Sequence, residues 1–136
     1  MIDPGLQGKV AIVTGANNRQ GIGAASAGAL AAQGCSVLLT YLRLPESATL
    51  GTTDAYRANR MQSADEVLAA IRAAGGRAEA WECDLADPAT IPALFDQTER
   101  RLGPAEILVN NAAHWEADTF LPAGIVTRRP DEWPPR

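Results

Sequence analysis

Residues 9–34, KVAIVTGANNRQGIGAASAGALAAQG, constrain the fold more than any other stretch of the chain. Val10, Ala11, Ile12 and Val13 make a continuous apolar run, the pattern of a central parallel strand covered on both faces. Gly15, Gly21 and Gly23 follow at once. Gly15 suits a tight exit turn, Gly21 a close approach of backbone to phosphate, and Gly23 close packing of a helix on the strand. An alanine-rich helix is then expected to about Gln33, with Gly34 as its left-handed stop. Gly28 inside that helix costs about 1 kcal/mol relative to alanine. A strand, a glycine turn and a helix N-terminus together point unpaired N–H groups at one spot, which suits the pyrophosphate of a dinucleotide.

The remainder alternates in the same way. Residues 36–40 read as a second strand, and residues 44–63 lack periodicity and are long for a strand-to-helix connection. That segment is expected to be an insertion or mobile loop near the adenosine end of a ligand, either closing over it or simply solvated. Residues 64–74 carry Val67, Leu68 and Ile71 on one helix face and stop at Gly75-Gly76, after which residues 77–82 form a third strand. Asp87-Pro88 reads as an N-cap followed by proline at the first helical position, with Ile91, Leu94, Phe95 and Leu102 as the buried stripe. Residues 106–109 make the fourth strand. Right-handed crossovers predict an α/β, Rossmann-type, doubly wound parallel sheet with strand order 3-2-1-4, truncated after that strand. Residues 1–121 are expected to form this half-domain. Residues 122–136, with four prolines, Arg128 and Arg129, are expected to be a disordered tail, as after a truncation or frameshift.

Between Gly15 and Gly21 lie five residues, an unusual spacing for a dinucleotide loop. Thr14-Gly15, Gly21-Ile22-Gly23, Asp84-Leu85 and Asn110-Asn111-Ala112 resemble, in order, the signatures TGxxxGxG, D-[LV] and NNAG of the short-chain dehydrogenase/reductase family. The resemblance covers roughly residues 5 to 121, in the style of the 3-oxoacyl-carrier-protein reductase-like members. The chain departs from the pattern in a glycine loop two residues longer and in Ala113 where glycine is usual. The resemblance implies an NAD(P)-dependent oxidoreductase that moves hydride between nicotinamide and a carbonyl or alcohol carbon. It implies cofactor contacts at Gly15, Asn17, Asn18, Arg19, Gly21, Ile22 and Gly23, at Tyr41 and Arg43, at Asp84 and Leu85, and at Asn111 and Ala112. In it Asp84 takes the adenine amino group beside the backbone of Leu85, and Asn110 and Asn111 pin the sheet and line the cleft. No acid follows the second strand to bind the ribose hydroxyls of NAD, and Arg43 with Arg19 favours the extra phosphate of NADP, NAD being the alternative.

The family's proton chemistry rests on a Tyr-x-x-x-Lys pair and a preceding serine. Lys9 is the only lysine, and neither Tyr41 nor Tyr56 has a lysine four residues on, so no catalytic residue is assigned. Three readings follow: an oxidoreductase by family, a non-catalytic dinucleotide-binding fragment, or a fragment too incomplete to fold stably. The fourth strand would then offer an exposed edge for oligomerisation or complementation. A net charge of -4 argues against nucleic acid as a partner, since phosphate backbones demand a basic face. The opening residues lack a basic flank and a long apolar run, which predicts no secretory signal, no membrane span and a cytoplasmic setting. Cys35 and Cys83 should stand at opposite ends of neighbouring strands as buried thiols, unable to bridge. The lone His114 is a poor acid–base candidate and no metal site, and Trp81, Trp115 and Trp133 read as packing or tail residues.

Overall fold

A computed structural model describes residues 3–44 and 53–113. Its elements run β1 (Val10–Thr14), α1 (Ile22–Ala32), β2 (Ser36–Tyr41), α2 (Asp54–Met61), α3 (Asp65–Ala73), β3 (Arg77–Glu82), α4 (Thr90–Arg101) and β4 (Ile107–Val109). The strands form one parallel sheet in the order β3-β2-β1-β4, the order expected of a doubly wound α/β fold. All five residues of β1 and the four central residues of β2 are buried, because both strands are sandwiched between helical layers. That double cover is why each reads as an unbroken apolar run rather than an alternating one.

The two faces of the sheet are covered unequally. On one, Ala11, Val13, Val37, Leu39 and Ala78 pack beneath Ala24, Ala27 and Ala31 of α1 and Val67 and Ile71 of α3. On the other, Ile12 and Leu38 pack beneath Leu94 of α4, with Trp81, Leu85, Leu102 and Ala105 around them. Helix α1 ends as expected: Gly34 takes φ +86°, and its N–H and that of Cys35 return to the carbonyls of Ala31 and Leu30.

Two expectations are corrected. Within the segment read as an insertion or mobile loop, residues 54–61 form α2, capped by the Thr53 hydroxyl, which accepts from the N–H of Tyr56 at 3.2 Å. This helix buries no residue, so it carries no apolar stripe to read; residues 45–52 of the same segment lie outside the described residues. At α4, Asp87 does not cap the helix. Its carboxylate accepts from the N–H of Ala89 at 2.9 Å in a tight turn of its own, Pro88 falls in that turn, and the helix begins at Thr90. The expected buried stripe also divides: Leu94 is 3% exposed, whereas Ile91 and Phe95 are 43% and 42% exposed. Leu102 is half-buried. The described chain places nothing over the outer side of α4.

Both cysteines are free and buried, Cys35 just before β2 and Cys83 just after β3, as expected. Burial pushes both thiols above the usual thiol range. Among the described residues no helix is long and apolar enough to cross a membrane. His114, Trp115, Trp133 and the tail at residues 122–136 lie outside the described residues.

Candidate dinucleotide site

The carboxyl ends of parallel strands are where an open α/β sheet leaves a crevice. At the end of β1, Thr14 is 4% exposed, and its hydroxyl is fully used. It accepts from the N–H groups of Asn111 and Ala112, each at 2.9 Å, and donates to the carbonyl of Val109 at 3.3 Å. The side-chain amide of Asn111 donates back to the carbonyls of Thr14 and Gly15 at 2.9 and 3.0 Å. This reciprocal latch ties the exit of β4 to the exit of β1 and forms the floor of the crevice.

The floor leaves no room for side chains at two of its glycines. Gly15 takes φ +66°, and a β-carbon there would lie 2.8 Å from Cα of Ala112. At Gly23 a β-carbon would lie 2.6 Å from both the Gly15 carbonyl and the Asn111 amide, so this glycine lets α1 settle on the latch. The tight neighbour of Gly21 is Asn18 of its own loop: the Gly21 N–H donates to the Asn18 carbonyl at 2.8 Å.

Above the floor stands the N-terminus of α1. Gly21 caps it in an extended conformation with no side-chain hydrogen bond, and the first turn holds no acid. The N–H groups of that turn are therefore offered with no competing carboxylate, which is the arrangement that receives an anion. Ile22, in the same turn, is 77% exposed, an apolar side chain left open at the crevice. The longer loop is braced rather than slack. The Asn17 amide donates to the Gln62 carbonyl at 2.8 Å, and the Asn18 carboxamide oxygen accepts from the Gln20 N–H at 3.0 Å. Arg19 is exposed and borders a cavity of about 270 Å³ between α1 and α3, lined mainly by alanine, glycine and aliphatic side chains.

At the ends of β2 and β3, Tyr41 is half-buried against the core, while Arg43 is exposed and paired with Glu82 at 2.7 Å. Their hydrogen bond holds the Glu82 carboxyl below the usual carboxylate range and raises the Arg43 guanidinium further. Asp84 is exposed, and one carboxylate oxygen accepts from the Ala86 N–H at 2.9 Å. Asp84 therefore braces its own turn, while a carboxylate retains acceptor capacity beyond one such bond. Leu85 is half-buried beside the α4 layer. The expected residues thus gather along one edge of the sheet, in three groups: the glycine loop with Asn111 and Ala112, the β2 end with Arg43, and the β3 end with Asp84 and Leu85.

Two participants were not expected, Thr14 as the hub of the latch and Glu82 beside Arg43. Strand register is the signal that locates the second, since Glu82 is the partner of Tyr41 across β2 and β3. Among the described residues no group of three or more His, Cys, Asp or Glu side chains could hold a metal ion.

A parallel sheet of order 3-2-1-4 with a glycine-lined helix N-terminus at its carboxyl edge defines the dinucleotide-binding class of α/β folds. Residues 9–124 match the family model for short chain dehydrogenases, and the chain belongs to that family. It is 33% identical over 129 residues to the 2,3-dihydro-2,3-dihydroxybenzoate dehydrogenase of Bacillus subtilis, covering 95% of this chain and 40% of that protein. Among solved structures, a short-chain dehydrogenase/reductase mutant from Serratia marcescens aligns with TM-score 0.65 at 36% identity, over 85% of this chain and 40% of that one. A short chain dehydrogenase from Burkholderia cenocepacia in complex with NADP aligns with TM-score 0.65 at 39% identity over the same shares. The chain therefore spans about 40% of the length of these relatives.

Proposed function

We propose that residues 9–113 form the dinucleotide-binding part of an NAD(P)-dependent oxidoreductase, with NADP preferred over NAD. The observation that carries this reading is the uncapped, acid-free N-terminus of α1 standing over a floor that β-carbons at Gly15 and Gly23 would fill. Such a floor brings backbone within reach of a pyrophosphate. Family membership supports the same ligand, as does the NADP held by the Burkholderia relative.

In this reading the N–H groups of Ile22 and Gly23 in the first turn receive the pyrophosphate close to the Gly21 backbone, and Asn17 and Asn18 hold the long loop in place around it. Asp84 accepts from the adenine amino group, with the backbone of Leu85 beside it. Arg43 and Arg19 face the ribose phosphate that distinguishes NADP. Asn111 and Ala112 line the way toward the nicotinamide, which supplies hydride chemistry when bound. The sequence contains no Tyr-x-x-x-Lys pair, so what these residues do is bind and orient, and no proton transfer is assigned to them.

The test is titration of the purified 136-residue chain with NADPH and NADH, followed by nicotinamide fluorescence, with Gly21→Asp as control. Saturable binding by the wild type and its loss in Gly21→Asp are expected, because the new carboxylate would stand among the phosphate-facing N–H groups. Tighter binding of NADPH than NADH is expected as well. A wild type that binds neither cofactor overturns the reading. Turnover with a panel of carbonyl substrates would add a catalytic role that the sequence does not supply.

A further inference from the structure

The sequence places no acid at the end of β2, yet the fold brings one there from the neighbouring strand. Glu82, the last residue of β3, lies in register with Tyr41, the last residue of β2. Its carboxylate accepts three hydrogen bonds from two nitrogens of the guanidinium edge: Nε donates to Oε1 and Oε2 at 3.1 and 3.0 Å, and Nη2 donates to Oε2 at 2.7 Å. The backbone N–H of Arg43 donates to the same carboxylate at 3.1 Å, so main chain and side chain are both held. Arg43 therefore stands at the adenosine end as half of a neutral pair, and not as an isolated cation.

We propose that Glu82 is a specificity-determining residue of this site, one that lowers its preference for NADP and lets NAD share it. This rests on the dinucleotide reading given above. A guanidinium has five N–H donors in a fixed fork. Glu82 takes those on the Nε edge and leaves the Nη1 edge, on a side chain 54% exposed, for a ribose phosphate. A phosphate monoester carries about −1.5 to −2 charge at neutral pH, so it meets attraction from Arg43 and repulsion from Glu82 together. The hydroxyls of an unphosphorylated ribose meet no such repulsion. One ion pair thus weakens the pull on the phosphorylated cofactor and leaves the unphosphorylated one unpenalised.

The experiment measures Kd for NADPH and NADH, at low and high salt, on the full chain as wild type, Glu82→Gln and Arg43→Gln. Glu82→Gln is nearly isosteric and half-exposed, so the fold should persist, and a thermal melt checks it. Its NADPH affinity should rise by about two- to fivefold, the scale of one exposed charge pair. NADH affinity should stay level or fall, and the gain in NADPH preference should shrink as salt screens it. Arg43→Gln leaves the carboxylate without its partner and should swing the preference to NADH. An unchanged or lowered NADPH preference in Glu82→Gln, or a retained NADPH preference in Arg43→Gln, overturns the proposal while leaving cofactor binding intact. Failure of the wild type to bind either cofactor overturns the dinucleotide reading, and this proposal falls with it.

Discussion

On the face of the sheet beneath α1 and α3, Ala11, Val13, Val37 and Leu39 are fully buried and the packing continues into both helices. On the face beneath α4, Ile12 and Leu38 are as fully buried, but the cover stops short of the β4 edge. There Leu108 is 47% exposed, although it pairs in register with the buried Ile12, and Phe95 and Ile91 of α4 are open to a similar extent. The same four strands therefore serve two different purposes. The first face supplies the apolar burial that holds the described chain together, while the second leaves apolar surface unsatisfied toward β4. The crevice lies where these two regimes meet, since its floor joins the exit of β1, central to the core, to the exit of β4, whose residues are covered only in part.

The largest effects should separate the faces directly. Leu39→Ala removes a side chain with no exposed surface from the well-covered face and should destabilise by about 2–5 kcal/mol, through lost transfer energy and the cavity left behind. Leu108→Ala, on β4 at the other side of β1 and half open to water, should cost far less, at most about 0.5–1 kcal/mol. Denaturant melts of the two variants measure the contrast. Equal losses would show that the β4 edge is packed as firmly as the centre.

A second, smaller effect tests what holds β4 if burial does not. Its three residues pair with β1 and are joined to it beyond the strand by the Thr14–Asn111 latch. Asn111→Ala removes the donors to the carbonyls of Thr14 and Gly15 and should destabilise by about 1–3 kcal/mol, the penalty for leaving partly buried polar groups unpaired. Amide hydrogen exchange should then rise first in residues 107–112. Faster exchange spread evenly over β1 and β2 would mean that the latch serves the whole sheet and not its poorly covered edge.

This contrast also explains which parts of the fold were legible in the sequence. β1 and β2 are legible because double cover writes a continuous apolar run, and α3 because Val67 and Ile71 repeat at helical spacing over the core. α2 is not legible because it buries nothing, so packing leaves no pattern in its residues. The stripe assigned to α4 was half wrong for the complementary reason: Ile91 and Phe95 have the periodicity of buried residues, but the described chain supplies nothing to bury them against. Asp87 and Pro88 carry the signature of a helix start, and a tight local turn through Ala89 used the same carboxylate first. At the site, Gly15 and Gly23 are legible because backbone geometry demands them, whereas Glu82 is not. Its contact with Arg43 spans 39 residues and exists only once strand register is known.

The well-covered face has a gap of its own, and filling it is the smallest and finest test of the comparison. The cavity between α1 and α3 is bordered by Gly28, in the middle of α1, where glycine disfavours the helix. A β-carbon at Gly28 would meet no atom within 4 Å, unlike one at Gly23 five residues earlier, which would strike the Gly15 carbonyl and the Asn111 amide at 2.6 Å. Gly28→Ala should therefore stabilise by about 0.4–1 kcal/mol, by restricting the unfolded chain without straining the folded one. Gly23→Ala should do the reverse and weaken cofactor binding as well, because its neighbours are backbone and the latch itself, neither of which can swing aside. Thermal melts of the pair, with cofactor titrations on each, decide the matter. If Gly28→Ala also destabilises, the α1–α3 face is packed more tightly than its cavity shows, and the glycine is there for closeness rather than by tolerance.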